Sequence, residues 1–313
     1  MPTIIEWSVC NDTQDTPSSR KVFLEEGFLL LEFNYPFSFI YPIIKAMDKM
    51  EQIKALMHSY ADWQTVGNKK QPYHIELQKG NQYFYYFGAN HSRDPQNFQY
   101  PELKKYWQEF LEKTHSTNII VLVEGGIRKV RENENEAIQK DSEAGLITFL
   151  ATQAGVHSDS PEPSRNEERN ELTKQFTKEE VQYYYFARVA HQWDGLPNPR
   201  PSFEEYMGRF LGRDKLGSNW PDFDFSMENM KQIHKTIFDT ALDENNKEFF
   251  YSIINPTSEK SVINKVARAC STIRNIYTIL KIEEFWRQHK NIFVVFGMAH
   301  LILQEPALRE LLK

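Results

Sequence analysis

Residues 118–126 read Asn-Ile-Ile-Val-Leu-Val-Glu-Gly-Gly. The run from Ile119 to Val123 is wholly apolar and short, the pattern of a strand buried on both faces of a parallel sheet. It stops abruptly at Glu124, Gly125 and Gly126. Two other stretches behave in the same way. Tyr83 to Phe87 leads into Gly88-Ala89-Asn90-His91, and Asn291 to Phe296 leads into Gly297-Met298-Ala299-His300. Between the first two lies a helical pattern opened by Pro101, with Leu103, Tyr106, Trp107, Phe110 and Leu111 on one face. Strand, helix and strand at this spacing form a βαβ unit. The expected fold class is therefore α/β, with a central mostly parallel sheet flanked by helices.

The remaining elements are placed outward from these strands. Tyr73, Ile75 and Leu77 alternate with polar residues ahead of a Gly80-Asn81 turn, which predicts a hairpin with the 83–87 strand, the latter central. Helices are expected over about 40–62, 136–154, 227–242 and 259–288, with a short one near 305–312. A third short strand is expected within 154–163, and strands or a hairpin within 3–33. Residues 164–256 differ in kind, with charged helices and a stretch punctuated by Pro and Gly. They read as a helical insertion or cap. Its aromatic residues, among them Tyr183, Tyr184, Tyr185, Trp193 and Trp220, either line a pocket or pack the insertion. The whole chain, 1–313, reads as one α/β domain with its core at about 73–162 and 259–313 and an N-terminal extension over 1–72.

Composition narrows the function class. The 313 residues carry a net charge of −6, which lacks the basic stripe expected of a nucleic-acid binder. The 14% aromatic content supplies a large core despite a mean hydropathy of −0.61. Two cysteines, Cys10 and Cys270, make neither a disulfide framework nor a metal knuckle. No apolar run reaches the length of a membrane span, and the N-terminus lacks the pattern of a secretion signal. A cytoplasmic protein acting on a small-molecule or peptide substrate, without nucleic acid or membrane span, is the expectation.

In open parallel sheets, ligands bind beyond the carboxyl ends of the strands. Neighbouring parallel strands would bring His91, Glu124 and His300 to one edge. Two imidazoles and a carboxylate suit two kinds of work: ligation of a divalent metal of the Zn, Mn or Co class with a position open for water, or activation of water by a His base. Arg274 lies about 40° from Cys270 on the helical wheel, at the border of the apolar stripe of the 259–288 helix. It is either a packed, snorkelling side chain or a fixed cation for an oxyanion or a substrate carboxylate. His157-Ser158-Asp159 lacks the strand-to-helix elbow of a nucleophilic serine.

Gly88 with His91, Glu124, Arg274 in Ser-Thr-Ile-Arg-Asn, and Gly297 with His300 together resemble the TraB, PrgY, GumN and Tiki-type superfamily, more distantly the erythromycin-esterase and ChaN-like groups. That family's pattern is two Gly-x-x-His motifs with a Glu and an Arg between them. Glu162 is similar to a further family acid. Ala89, where many relatives have Thr or Glu, departs from the pattern. The resemblance covers about half the chain and leaves residues 164–256 unassigned. It implies a hydrolase acting on an amide or ester bond, either a metal-dependent peptidase with His91, Glu124 and His300 as ligands or an esterase-like enzyme with His-activated water and no metal. His91, Glu124, Arg274, His300 and Glu162 would be its catalytic residues. The alternative is a non-catalytic binding or regulatory protein using the same cleft for a metal, haem or peptide.

Overall fold

The computed structural model describes residues 20–22, 31–33, 49–196 and 199–313. The chain divides into two compact units, Met1–Glu51 and Gln52–Lys313. In the first, β1 (Arg20–Val22) and β2 (Leu31–Phe33) pair antiparallel. This agrees with the expected hairpin; the rest of 3–33 lies outside the described residues. The helix expected over 40–62 is seen as α1 over 49–56. It is followed by a 3-10 turn, Tyr60–Asp62, and the short α2, Trp63–Val66. Residues 40–48 lie outside the described residues.

The second unit is built on a five-stranded sheet in the order β3-β4-β7-β5-β6. Strands β3 (Tyr73–Lys79) and β4 (Gln82–Ala89) form the expected antiparallel hairpin, turning at Gly80, whose φ of 59° is readily adopted by glycine. Strands β5 (Ile119–Val123), β6 (Ser158–Asp159) and β7 (Asn291–Gly297) join β4 in parallel. The last strand in sequence enters between β4 and β5, which are consecutive in the βαβ unit. Every residue of β7 is buried, which is why its sequence carries no polar alternation.

Helices cover both faces. On one, α3 (Gln99–Thr114) and α4 (Glu134–Gln153) enclose Tyr85, Phe87, Val121, Val123, Phe293 and Val295. The other face meets α10 (Val262–Arg287) and α11 (Met298–Leu311), where the Tyr86 hydroxyl donates to Gln304 Oε1 at 3.1 Å. Three further helices depart from their expected extents. The one expected over 227–242 ends at Phe238, where Asp239 adopts a left-handed φ of 55°. Helix α11 begins at 298 rather than 305. Gly297-Met298-Ala299-His300, expected as a strand end, already opens the helix, and Pro306 sits inside it. Helix α4 is broken at Ser142, whose φ of 56° and ψ of −143° are non-helical.

Residues 164–256 fold into α5 (Arg165–Leu172), α6 (Lys178–Asp194), α7 (Phe203–Gly217), α8 (Met227–Phe238) and α9 (Lys247–Ile254). Helices α5, α6 and α7 open on Ser164, Thr177 and Ser202, whose side chains accept from the third residue of each helix. The aromatic residues pack rather than line a pocket. Tyr183, Tyr185, Trp193, Trp220, Phe223 and Phe225 share one core with Ile263, Val266 and Cys270 of α10. His234 of α8 is buried and hydrogen-bonded to the Tyr183 hydroxyl at 2.5 Å and to Thr240. No helix among the described residues is long and apolar enough to cross a membrane.

Phe293 of the central strand packs its ring against Tyr106, Trp107 and Phe110 of α3 at 5.0–5.6 Å between centroids. Phe293→Ala is expected to cost about 3–5 kcal/mol. A fall in the urea midpoint without a change in denaturant slope would register it.

Candidate functional site

The order β4-β7-β5 brings three strand ends together at one edge of the sheet. His91 follows β4 in a short loop held by α3. There Gln99 accepts from the Asn90 N–H at 2.9 Å and donates to the Asn90 carbonyl at 3.2 Å, and the Tyr100 hydroxyl donates to the Ser92 carbonyl. Glu124 directly follows β5. Gly125 and Gly126, with φ of 79° and 93°, then turn the chain away through conformations that favour glycine. His300 lies in the first turn of α11, immediately after β7.

Glu124 is the hub of the arrangement. Its Oε2 accepts from the Gly297 N–H at 2.7 Å and faces His91 Nε2 at 3.6 Å. Its Oε1 accepts from Arg274 Nη2 at 3.0 Å and faces His300 Nε2 at 3.5 Å. Because Gly297 caps α11, the carboxylate also sits at a helix N-terminus, where unsatisfied N–H groups favour an anion. Burial alone would raise the Glu124 pKa, but the charges of His300, Arg274 and His91 overcome it and hold the carboxyl well below its usual range.

The five residues singled out in the sequence are all present around this hub. Arg274, on α10, gives Nε to Glu162 Oε1 at 2.6 Å, and Glu162 Oε2 in turn accepts from the Gly125 N–H at 2.5 Å. Arg274 is therefore not a surface side chain with a packed stem. It is a buried fork between two carboxylates, whose charges outweigh burial and hold it protonated. Among the described residues its Nη1 makes no hydrogen bond.

Two participants escaped the sequence reading. Asn275, beside Arg274, accepts from His300 Nδ1–H at 2.6 Å and from Gln304 Nε2 at 2.8 Å, leaving His300 Nε2 turned to Glu124. Glu143 accepts from His91 Nδ1–H, and its side chain is 4% exposed. It follows the broken residue Ser142, and the break aims it at the imidazole. Gly145 makes the break possible, since a Cβ there would lie 2.3 Å from the Ala137 carbonyl oxygen. The signal in the sequence was that glycine inside an otherwise continuous helical pattern. The Glu143 hydrogen bond raises the His91 pKa to about 9, against the opposing effect of partial burial.

The expectation of a divalent metal on His91, Glu124 and His300 finds no support in this geometry. The two imidazoles address opposite oxygens of Glu124, and each oxygen already accepts an N–H. Among the described residues no group of three or more His, Cys, Asp or Glu side chains is arranged to hold a metal ion. Beside the hub opens a cleft of about 650 Å³, lined by Gly125, Glu162 and Arg274 together with Arg165 and Arg188 of the helical insertion.

Two substitutions probe the arrangement. Glu143→Gln removes the anion that stabilises the imidazolium, so the His91 pKa should fall from about 9 toward 6.5, as followed by NMR titration of the imidazole. At Gly297 a Cβ would sit 2.7 Å from His91 Nε2 and 3.2 Å from Glu124 Oε2. Gly297→Ala should therefore displace His91 from Glu124 while the fold survives, because a φ of −56° suits any residue. A crystal structure of the variant would show the moved ring.

No family model, curated protein or solved structure matches the chain.

Proposed function

We propose that the chain is a hydrolase of an amide or ester bond, with the His91–Glu143 pair as its water-activating base. The observation that carries this is the polarity of the His91 ring. Nδ1–H is held by a buried carboxylate, while the imidazole is more than half exposed and directs Nε2 toward the hub. A base needs this arrangement, with one nitrogen fixed as donor so that the other can accept, and an anion behind to stabilise the charge that forms. The two Gly-x-x-His segments, and the resemblance to the TraB and Tiki-type group that rests on them, support the same class.

The roles follow from the contacts. His91 Nε2 takes the proton of the attacking water, and Glu143 is a positioning residue that fixes the tautomer and stabilises the imidazolium. Arg274 lines the cleft, and its Nη1, which holds neither carboxylate, donates to the oxyanion that develops as the carbonyl is attacked. Its other nitrogens hold Glu124 and Glu162, so the donor is fixed before substrate arrives. His300, oriented by Asn275 through Nδ1–H, lies on the other side of Glu124; as an imidazolium it supplies its Nε2 proton to the leaving group and is reprotonated with the proton that His91 took from water. This sequence of steps uses side chains alone, and the metal-dependent peptidase reading is the less supported branch of the resemblance.

A screen of p-nitrophenyl esters and peptide p-nitroanilides tests the reading. On a responsive substrate, His91→Ala should lower kcat/KM by about 10²–10⁴-fold with unchanged circular dichroism. The ascending limb of wild-type kcat/KM should lie at about pH 9, since His91 accepts a proton only once it is neutral. Glu143→Gln should move that limb to lower pH and lower the maximal rate. Undiminished turnover by His91→Ala would overturn the assignment, and retained ligand binding without turnover in any variant would select the binding-protein reading instead.

A further inference from the structure

Three arginines line the cleft beside the hub, and two of them are neutralised. Arg274 lies between Glu124 and Glu162. Arg165 stands 3.7 Å from Glu168 and packs 4.0 Å above the Tyr185 ring. The third, Arg188 on α6, has neither an ion pair nor a hydrogen bond among the described residues. Its only contact of this kind is with the face of Tyr184, one helical turn earlier, at 5.7 Å from the ring centroid.

The isolation is not for want of acids nearby. The Glu168 carboxylate accepts from the Tyr185 hydroxyl at 2.5 Å and faces Arg165, and Glu162 is bound by Arg274 and the Gly125 N–H. The other two acids of the lining, Asp159 and Glu167, accept from the Ser160 and Ser164 N–H groups, and none of the four pairs with Arg188. Arg188 is only partly open to solvent, and Arg274 is close enough for the two positive charges to oppose each other. A guanidinium has five N–H donors in a planar fork. Withdrawing it from water beside a second cation, with no acceptor, is unfavourable unless an anion completes the site. The shape of the fork matches a carboxylate, which it binds through two parallel hydrogen bonds. At the rim, Ile127 is 68% exposed and offers an apolar contact.

We propose that Arg188 is a substrate-binding residue that anchors a carboxylate in this cleft, so that the preferred ligand is an amide or ester carrying a free carboxylate and an apolar group. The placement of the scissile bond toward Arg274 and His91 rests on the hydrolase reading; the carboxylate preference itself does not. Among the cleft's cations, Arg188 alone is free to give specificity, because Arg274 is held in place by the hub.

Isothermal titration with hippurate, which joins a benzoyl amide to a carboxylate, against its neutral carboxamide reads the preference directly. The wild-type protein is expected to bind hippurate at least about tenfold more tightly than the carboxamide. Arg188→Gln should abolish that preference with an unchanged melting temperature. Arg188→Lys, which keeps the charge but loses the fork, should keep part of it, and His91→Ala should keep all of it. Equal binding of the two probes by the wild-type protein, failure of hippurate to bind, or a preference that survives in Arg188→Gln would overturn the proposal. Displacement of hippurate by inorganic phosphate at far lower concentration than by acetate would overturn the carboxylate assignment in favour of a phosphate site. An Arg188-dependent preference in a protein that hydrolyses no ester or amide would uphold the anchor while removing the hydrolase reading.

Discussion

One carboxylate, Glu124, is kept ionised while largely withdrawn from water. An isolated charge in that position would cost several kcal/mol, and the surroundings are arranged to offset it. A helix N-terminus supplies the Gly297 N–H, α10 supplies a guanidinium, and an imidazole approaches each oxygen. These donors arrive from three separate stretches of chain, so the position of Glu124 fixes the mutual placement of β4, β5, β7 and α10 at this edge. Close packing does the rest. Gly297 leaves no room for a Cβ between the backbone and His91, and the imidazole can reach the carboxylate only because that space is empty.

Around the hub, charges alternate. Glu143 backs His91, Glu124 stands between the imidazoles, Arg274 lies beyond it, and Glu162 closes the row. Each member is held by a neighbour of opposite sign, so a charge created at one point is distributed to fixed partners rather than to mobile solvent. The break at Ser142 belongs to the same device. A non-glycine residue at φ 56° and ψ −143° costs about 1–3 kcal/mol. The strain brings Glu143 inward where a regular helix would have continued.

The sheet and its edge were legible because they rest on strong local signals. The apolar runs 83–87, 119–123 and 291–296 have no alternative as surface elements, and each ends on a residue with chemistry. His91, Glu124 and His300 are therefore placed together by the strand pattern alone, and Arg274 and Glu162 are added by the resemblance. Glu143 was hidden, because in sequence it is one acid among several on a charged helix, and only the broken backbone separates it from Glu134 and Glu136. Asn275 was hidden by its neighbour Arg274, which drew the attention of the motif. The start of α11 was misplaced because Met298, Ala299 and His300 follow the last strand without a loop, so the residues read as a strand end are already the first turn of the helix. The helical insertion was legible as helices and as an aromatic core. The isolation of Arg188 was not, since it depends on which acids its neighbours have already engaged.

The central place of β7 has a consequence in time. Strands β4 and β5 leave a gap that is filled by a segment more than 160 residues further along the chain, with Phe293 registering against Tyr85 on one side and Val121 on the other. Closing so long a loop is slow compared with forming the local hairpin and helices. During synthesis the first two strand ends, with His91 and Glu124, emerge long before Gly297, Arg274 and His300 can meet them. The nascent chain thus carries an unfinished centre: the partners of Glu124 are complete only once the last strand has been synthesised and paired between β4 and β5.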